Sequence, residues 1–327
     1  MPGLGFKSLC QIGKEVAFGG GATPSAKFEI ASFNVAPGVG MIQDPSLRDA
    51  VSRRGLYAGG LVYKGGLTVR CNYIGMLELF RACFGGYTAT TVETGVRDHT
   101  FRETGTLPSY QIEVVLGDVP TGRCFRLVGA KLFNLTLRGT AGTGNDAMMM
   151  AEFSILAKSM VSDQAITGSL SFPASVMPVL YHQAITVDNG TVDATPAVRS
   201  FEVSFEQPHA EDRYYLGAQN ILEPLRQDFV TARWRITEEF ATKLAWDAAA
   251  AFTLGSPRLV FRHPTLIGAT AYSEFEVRSN QANLEDLSIP IEGFGVLLST
   301  ATWQAFYDGT DLSSLLVRVR NTDAALT

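Results

Sequence analysis

One plan of hydrophobic periodicity runs through this chain twice, and that repetition constrains the fold more than any single motif. In each half a strand pattern leads to a long connection, a second strand, one helix closed by glycine, and then several more strands, at a spacing of about 170 residues. The second half begins most clearly. Arg199 to Gln207 sets Phe201, Val203 and Phe205 against Glu202, Ser204 and Glu206, the period of two of a half-buried strand. Lys27 to Val35, with Phe28, Ile30 and Phe33, takes the equivalent place in the first half. Leu61 to Tyr73 and Leu225 to Thr237 are the second strands, and within them Leu61-Val-Tyr-Lys-Gly-Gly-Leu-Thr-Val69 aligns with Asp228-Phe-Val-Thr-Ala-Arg-Trp-Arg-Ile236. The helices are expected at Ile74 to Phe84, before Gly85-Gly86, and at Glu238 to Leu254, before Gly255. Glu238 and Glu239 suit the positive end of that second helix, and Phe229, Trp234, Phe240, Trp246 and Phe252 are expected to form a core around it.

The remaining apolar runs read as strands: Tyr110 to Leu116, Cys124 to Leu137, Met148 to Ala157, Arg258 to Phe261, Ala271 to Val277, Leu284 to Ile291 and Leu315 to Arg320. Their connections are too short for helical crossovers, which implies antiparallel pairing. Gly65-Gly66 marks a kink where two backbones approach closely. The connector from Ala165 to Pro196 holds a hairpin signal at Ile185-Thr-Val-Asp-Asn-Gly-Thr-Val192. Pro37 to Gly60 and His209 to Pro224 read as long irregular connections, and the glycine-rich start around Gly19, Gly20 and Gly21 as a flexible arm. The division expected is 1–165 for the first module, with its arm and the loop 37–60, and 166–327 for the second, with the connection 209–224.

A chain of 327 residues, 46% of them hydrophobic, can bury two cores of ordinary size. Charged residues make up 18%, below the roughly 25% of ordinary soluble domains, which leaves surface for partners to cover. The net charge of −5 argues against a protein that grips phosphates, yet it suits one that lets DNA pass. Cys10, Cys71, Cys83 and Cys124 form no C-x-x-C pair and take no ligand spacing with His99, His182, His209 or His263. Buried thiols are therefore expected, with no metal and no cofactor. The first ten residues lack a secretory signal, and no run approaches the roughly 18 apolar residues of a membrane span, so synthesis and use in the cytoplasm are expected. Nucleophile elbow, zinc helix, phosphate loop and dinucleotide fingerprint are all missing, while His209-Ala-Glu211-Asp212 and Asp308-Gly-Thr-Asp311 read as loop and turn. No enzyme is expected.

Four segments stand in an order that resembles the major tail tube proteins of siphophages, the phages with long non-contractile tails, in their duplicated form. They are Met1-Pro-Gly-Leu-Gly-Phe-Lys-Ser-Leu-Cys-Gln-Ile-Gly-Lys-Glu15 with Gly19 and Thr23, Leu77-Glu-Leu-Phe-Arg-Ala-Cys-Phe-Gly-Gly86, Thr106-Leu-Pro-Ser-Tyr-Gln-Ile-Glu113, and Phe125-Arg-Leu-Val-Gly-Ala-Lys-Leu-Phe-Asn-Leu-Thr-Leu137. The resemblance spans nearly the whole chain. It implies a mainly β fold of two tandem β-sandwich tail-tube modules, each with one flanking α-helix, whose inner strands form a β-barrel across subunits. Six modules complete a ring in that family, so a two-module chain implies a homotrimer ring of pseudo-sixfold symmetry. Such rings stack by helical assembly into a tube for genome delivery.

The implied partners are further copies of the chain and the tape-measure, tail terminator and baseplate proteins, with DNA passing through the lumen without specific binding. No membrane is involved, and the virion tail, assembled in the host cytoplasm, is the implied location. On this reading Glu202 and Glu206 are candidates to face the lumen. Arg48, Arg53 and Arg54 in the long loop, with Gly19, Gly20 and Gly21, are candidates for contacts between rings or subunits. Two all-β modules also suit a carbohydrate- or ligand-binding β-sandwich such as a phage adhesin, and a tail terminator or baseplate ring protein is the nearest relative in kind. A hydrolase would need converging carboxylates or a metal.

Overall fold

The computed structural model describes residues 8–44, 56–117, 124–144, 147–168, 170–173, 177–191, 197–240, 246–247, 250–290 and 296–326. The first part of the chain runs β1 (Leu9–Lys14), β2 (Ala26–Phe28), β3 (Ser32–Phe33), β4 (Ala36–Gln43), β5 (Leu56–Arg70) and the helix α1 (Leu77–Phe84). Then follow β6 (Gly85–Glu93), β7 (Val96–Glu103), β8 (Tyr110–Val115), β9 (Cys124–Thr140), β10 (Met150–Ala157) and β11 (Ser159–Gln164). The rest comprises β12 (Ala184–Asp188), β13 (Val198–Glu206), β14 (Thr231–Glu239), β15 (Arg258–Leu266), β16 (Tyr272–Arg278), β17 (Ala282–Ser288), β18 (Leu298–Ala305) and β19 (Leu316–Asn321). The fold is mainly β, and the ladders between these strands are antiparallel.

Two sheets result. The larger has the order β17-β18-β14-β13-β9-β10-β5-β3, with β4 continuing the outer position beside β5. The smaller has the order β12-β15-β16-β19-β7-β6. Both draw strands from both halves of the chain. β9 is long enough to serve two partnerships: its first part pairs with β8 and β11, its second with β10 and β13. Gly129, at φ +66°, sits where it changes partners, and a Cβ there would meet the ring of Phe18 and the side chain of Lys158.

The core lies between the sheets, around α1. Every residue of α1 is buried, and Gly85 ends it at φ +81°, a conformation a side chain would strain. Phe80 bridges the layers, with its ring 6.2 Å from Phe153 of the large sheet and 5.6 and 5.7 Å from Phe101 and Phe275 of the small one. The buried Glu78 and Arg81 pair at 2.9 Å, and the Tyr110 hydroxyl donates to Glu78, so neither charge is left alone. Trp234 and Trp303 lie opposite each other on β14 and β18 with no exposed surface. A Cβ on Gly255 would stand 2.5 Å from the Trp303 ring, so this close approach requires glycine.

The structure corrects several expectations. Lys27 to Val35 is two short strands rather than one. Pro37 to Gly60 is not an irregular loop at its ends: β4 and the first part of β5 form a ribbon, from Ala36 opposite Lys64 to Gln43 opposite Leu56. Its glycines serve a close approach of two strands rather than a loop: Gly40 and Gly59 face each other so closely that a Cβ on Gly59 would lie 3.0 Å from the Gly40 carbonyl oxygen. Gly65 does mark a close approach, to the backbone of Asn34 and Val35. The helix expected from Glu238 is replaced there by strand, since Glu238 and Glu239 continue the ladder opposite Ser299 and Leu298. Only Trp246, Asp247 and Ala250 are helical among the described residues that follow up to Leu254. Glu238 accepts from the Asn189 amide instead of capping a helix, and burial raises its carboxyl pKa. Trp234 is core, but Phe229, Trp246 and Phe252 are 89%, 57% and 91% exposed. β12 pairs with β15 rather than folding back through Asn189-Gly190.

A buried carboxylate ties the connector between the halves to the sheet. Glu113 on β8 is fully buried and accepts from Gln11, Gln111, Arg126 and both the amide and hydroxyl of Thr167. Burial pushes its pKa up, but these donors outweigh it and hold the carboxyl below its ordinary range. The stability it adds is therefore present above the ordinary glutamate range and is lost as pH falls through the lowered value. Glu113→Ala is expected to cost about 3 kcal/mol, read as a shift of the denaturant midpoint, and to flatten the acid side of the stability profile. An unchanged midpoint would mean that the donors find water instead.

Candidate assembly surfaces

The outward face of the large sheet follows from the same alternation that builds its core. On β13, Phe201, Val203 and Phe205 are buried while Glu202 and Glu206 are exposed. Register sets Glu202 between Arg138 of β9 and Arg235 of β14, Ser204 between Thr136 and Arg233, and Glu206 between Asn134 and Thr231. Farther out, Thr136 faces Glu152, and Arg235 faces Thr302. Arg233 reaches Glu285 at 3.2 Å, and Arg70 reaches Glu29 at 2.9 Å. The face is thus rich in hydroxyls and amides, with carboxylates and guanidinium groups interleaved. Such a surface presents little net field to a polyanion. The expected Glu202 and Glu206 are on it. The three arginines beside them were missed, although the period of two that exposed the glutamates also holds for Leu135-Thr-Leu-Arg138 and for Ala232-Arg-Trp-Arg235.

The eight-strand run of the sheet ends at β17 on one side and at β3 and β4 on the other, and apart from Ala282, whose amide and carbonyl bond Gly255, the outer main-chain groups of these strands meet no further strand among the described residues. Unprotected edges of this kind are templates for pairing with another chain. Beyond the end of β10, at Tyr63 opposite Ala157, the β4–β5 ribbon continues past the rest of the sheet with Met41, Ile42, Leu56 and Tyr57 exposed. The connection 209–224 packs along it. The Leu61 amide donates to the Gln219 carbonyl at 2.8 Å, Lys64 pairs with Glu211 at 3.1 Å, and Gly60 lies under the Tyr214 ring. Arg48, Arg53 and Arg54 lie outside the described residues.

Gly19, Gly20 and Gly21 do not form a flexible arm. Glu15 is 5% exposed and accepts from the amides of Gly19 at 2.9 Å, Gly21 at 3.2 Å and Gly129 at 2.9 Å. The Gly20 amide donates to Ala17, and that of Ala22 to Gln111. Gly19 and Gly21 have φ of +75° and +73°, so glycine is what lets successive amides converge on one carboxylate. The turn is closed on its own chain.

The two buried histidines of the four bond locally through Nδ1. His209 Nδ1 lies 2.7 Å from the Gln207 carbonyl, and His99 Nδ1 lies 2.8 Å from the Tyr87 hydroxyl; burial lowers both histidine pKa values. Among the described residues no three His, Cys, Asp or Glu side chains converge as a metal site would require, and no helix is long and apolar enough to cross a membrane. Glu15→Ala leaves three amides without their acceptor and is expected to cost about 2 kcal/mol. Limited proteolysis should then cut within 17–22 while the rest of the chain stays resistant, and equal resistance would show that the turn holds itself.

A family model described as phage tail tube protein covers residues 5–290 of the 327. No curated protein matches the chain.

Proposed function

The chain belongs to the phage tail tube protein family, a structural component of the virion tail that assembles with copies of itself, and from that premise we propose that three copies close into one ring. The observation that carries this reading is the order of strands in the large sheet. Its eight positions divide into four from each half: β3/β4-β5-β10-β9, then β13-β14-β18-β17. Taken in chain order within each half, both sets place first, second, fourth and third strand side by side. The sheet therefore repeats by moving along itself, not by mirror, and a sequence of such steps has no natural end until it closes.

Magnitude selects the number of copies. With strands about 4.8 Å apart and tilted about 40°, three chains enclose a barrel roughly 45–50 Å between opposite backbones. Two chains would leave roughly 30 Å, much of it taken by side chains, and six would open roughly 95 Å. Three gives a channel that clears a DNA duplex without excess. The charge-balanced outward face, with Glu202 and Glu206 between arginines and hydroxyls, lines that channel, and its low net field lets phosphates slide. The two halves, 1–165 and 166–327, act as quasi-equivalent modules around a pseudo-sixfold ring. The rings stack in a non-contractile siphophage tail, assembled in the host cytoplasm with tape-measure, terminator and baseplate proteins, and serve genome delivery.

The β4–β5 ribbon, which projects past the end of the sheet with apolar residues bare, reaches the adjacent ring. Replacing residues 41–58 by a short turn spares the β5–β10 ladder, which begins at Tyr63. The variant is expected to fold with an unchanged denaturant midpoint and to form no hollow rods by electron microscopy under conditions where the unaltered chain does. Rods of ordinary length from this variant would remove the ribbon from the inter-ring contact.

A further inference from the structure

The repeat inside the chain fixes more than a ring. We infer that β17 of one copy pairs antiparallel with β3 of the next in one defined register: Leu284 opposite Val35, Leu287 opposite Phe33, and Ser288 opposite Ser32. The inference rests on the tubular reading above and adds to it the residues that meet.

The register comes from overlaying the two halves through their own ladders. In the first half Leu67 of β5 faces Phe153 of β10 and Phe33 of β3, while Phe153 faces Leu135 of β9. In the second half Trp234 of β14 faces Trp303 of β18 and Val203 of β13, while Trp303 faces Leu284 of β17. Leu67 thus corresponds to Trp234, Phe153 to Trp303, Phe33 to Val203 and Leu135 to Leu284. One step along the same ladders, Leu137 corresponds to Leu287, and Arg138 to Ser288. Ser32 likewise corresponds to Glu202, and continuing β3 by two residues sets Val35 against Phe205.

Within one chain the halves are joined by β9 and β13, with Leu135 opposite Phe205, Leu137 opposite Val203 and Arg138 opposite Glu202. Transferring those three pairs to the open edges gives the three proposed between copies. The register has a second, independent support in burial. At the closed junction Leu135, Leu137, Val203 and Phe205 are at most 1% exposed. Their counterparts at the open edges, Leu284, Leu287, Phe33 and Val35, pack on the same core yet are only partly buried. Each open edge is therefore a core surface short of one neighbour, and each lacks what the other offers. Ser288 and Ser32 lie on the opposite, exposed face, where the equivalent pair is Arg138 and Glu202. A slip by one residue would set the core-facing side chains of one edge against the outward-facing ones of the other.

The test uses the exposed serines, which can change without disturbing the core. The four native cysteines are buried and do not compete. Directly opposed residues on antiparallel strands stand within reach of a disulfide. Assembled tubes of a chain carrying Ser32→Cys and Ser288→Cys should, after mild oxidation, give covalent products that stop at the trimer in denaturing gels. Ser288→Cys with Asn34→Cys, two residues out of register, should give at least tenfold less.

Tubes in which the out-of-register pair links better, or in which neither pair links, would overturn the register and leave the tubular reading standing. Products that stop at the hexamer would support the register and overturn the three-chain ring. Absence of tubes from the unaltered chain as well would overturn both. Should the paired cysteines impair assembly, hydrogen exchange of the unaltered chain decides: those amides within residues 284–288 and 32–35 that point away from β18 and β5 must gain protection on assembly, and unchanged exchange there refutes the pairing.

Discussion

The ladder between β9 and β13, from Asn134 opposite Glu206 to Thr140 opposite Ser200, is the contact on which the rest of the molecule depends. It fuses four strands from each half into one sheet, so neither half keeps a separate edge at the middle of the chain. Because side chains alternate along a strand, this register also decides which residues enter the core and which remain outside. Leu135, Leu137, Val203 and Phe205 go in, while Thr136, Arg138, Glu202 and Ser204 stay out. The consequence runs outward to both ends of the sheet. A junction that can form inside one chain can form again between two, provided the free edges carry the same pattern, and β17 and β3 do.

A sheet that repeats from copy to copy has to hold the same curvature at each step. The core device is α1, which lies wholly between the layers and touches both through Phe80. The rigidity around it comes from carboxylates whose bonding capacity is used within the chain. Glu78 meets Arg81 and Tyr110, Glu113 gathers donors from β1, β8, β9 and the connector, and Glu15 closes the glycine turn against Gly129. Buried charges of this kind add little net stability over apolar packing, but they tolerate few alternative arrangements. On the small sheet, Glu276 is fully buried beneath Arg258 and Arg318, at 2.7 and 2.5 Å. That face spends its charge on itself.

Strands with strict alternation were legible in the sequence, because burial on one side leaves a period of two: Arg199 to Gln207 and Cys124 to Leu137 stand within a few residues of β13 and β9. So were α1, marked by its spacing and its terminal glycines, and the exposure of Glu202 and Glu206. What could not be read was set by contacts distant in sequence. Glycines in β4 and β5 suggested a loop, whereas they let two strands lie close. Glu238 and Glu239 looked like a helix start, yet their partners on β18 lie about 60 residues away in the chain. The carboxylate that orders Gly19 to Gly21 is nearby in sequence, but the Gly129 amide that completes its shell is not. The alignment of Leu61 to Val69 with Asp228 to Ile236 read from the sequence sets Leu67 against Trp234, as the ladders also do, whereas the correspondence of Leu135 with Leu284 emerges only from the ladders.

The claim at the centre is that the junction between copies reproduces the junction between halves, and its most direct measurement is an electron cryo-microscopy reconstruction of assembled tubes. Three chains per ring, with one sheet running unbroken from β17 of each copy into β3 and β4 of the next, is the result expected. A ring of six chains, or a tube in which those two edges face solvent, would contradict it.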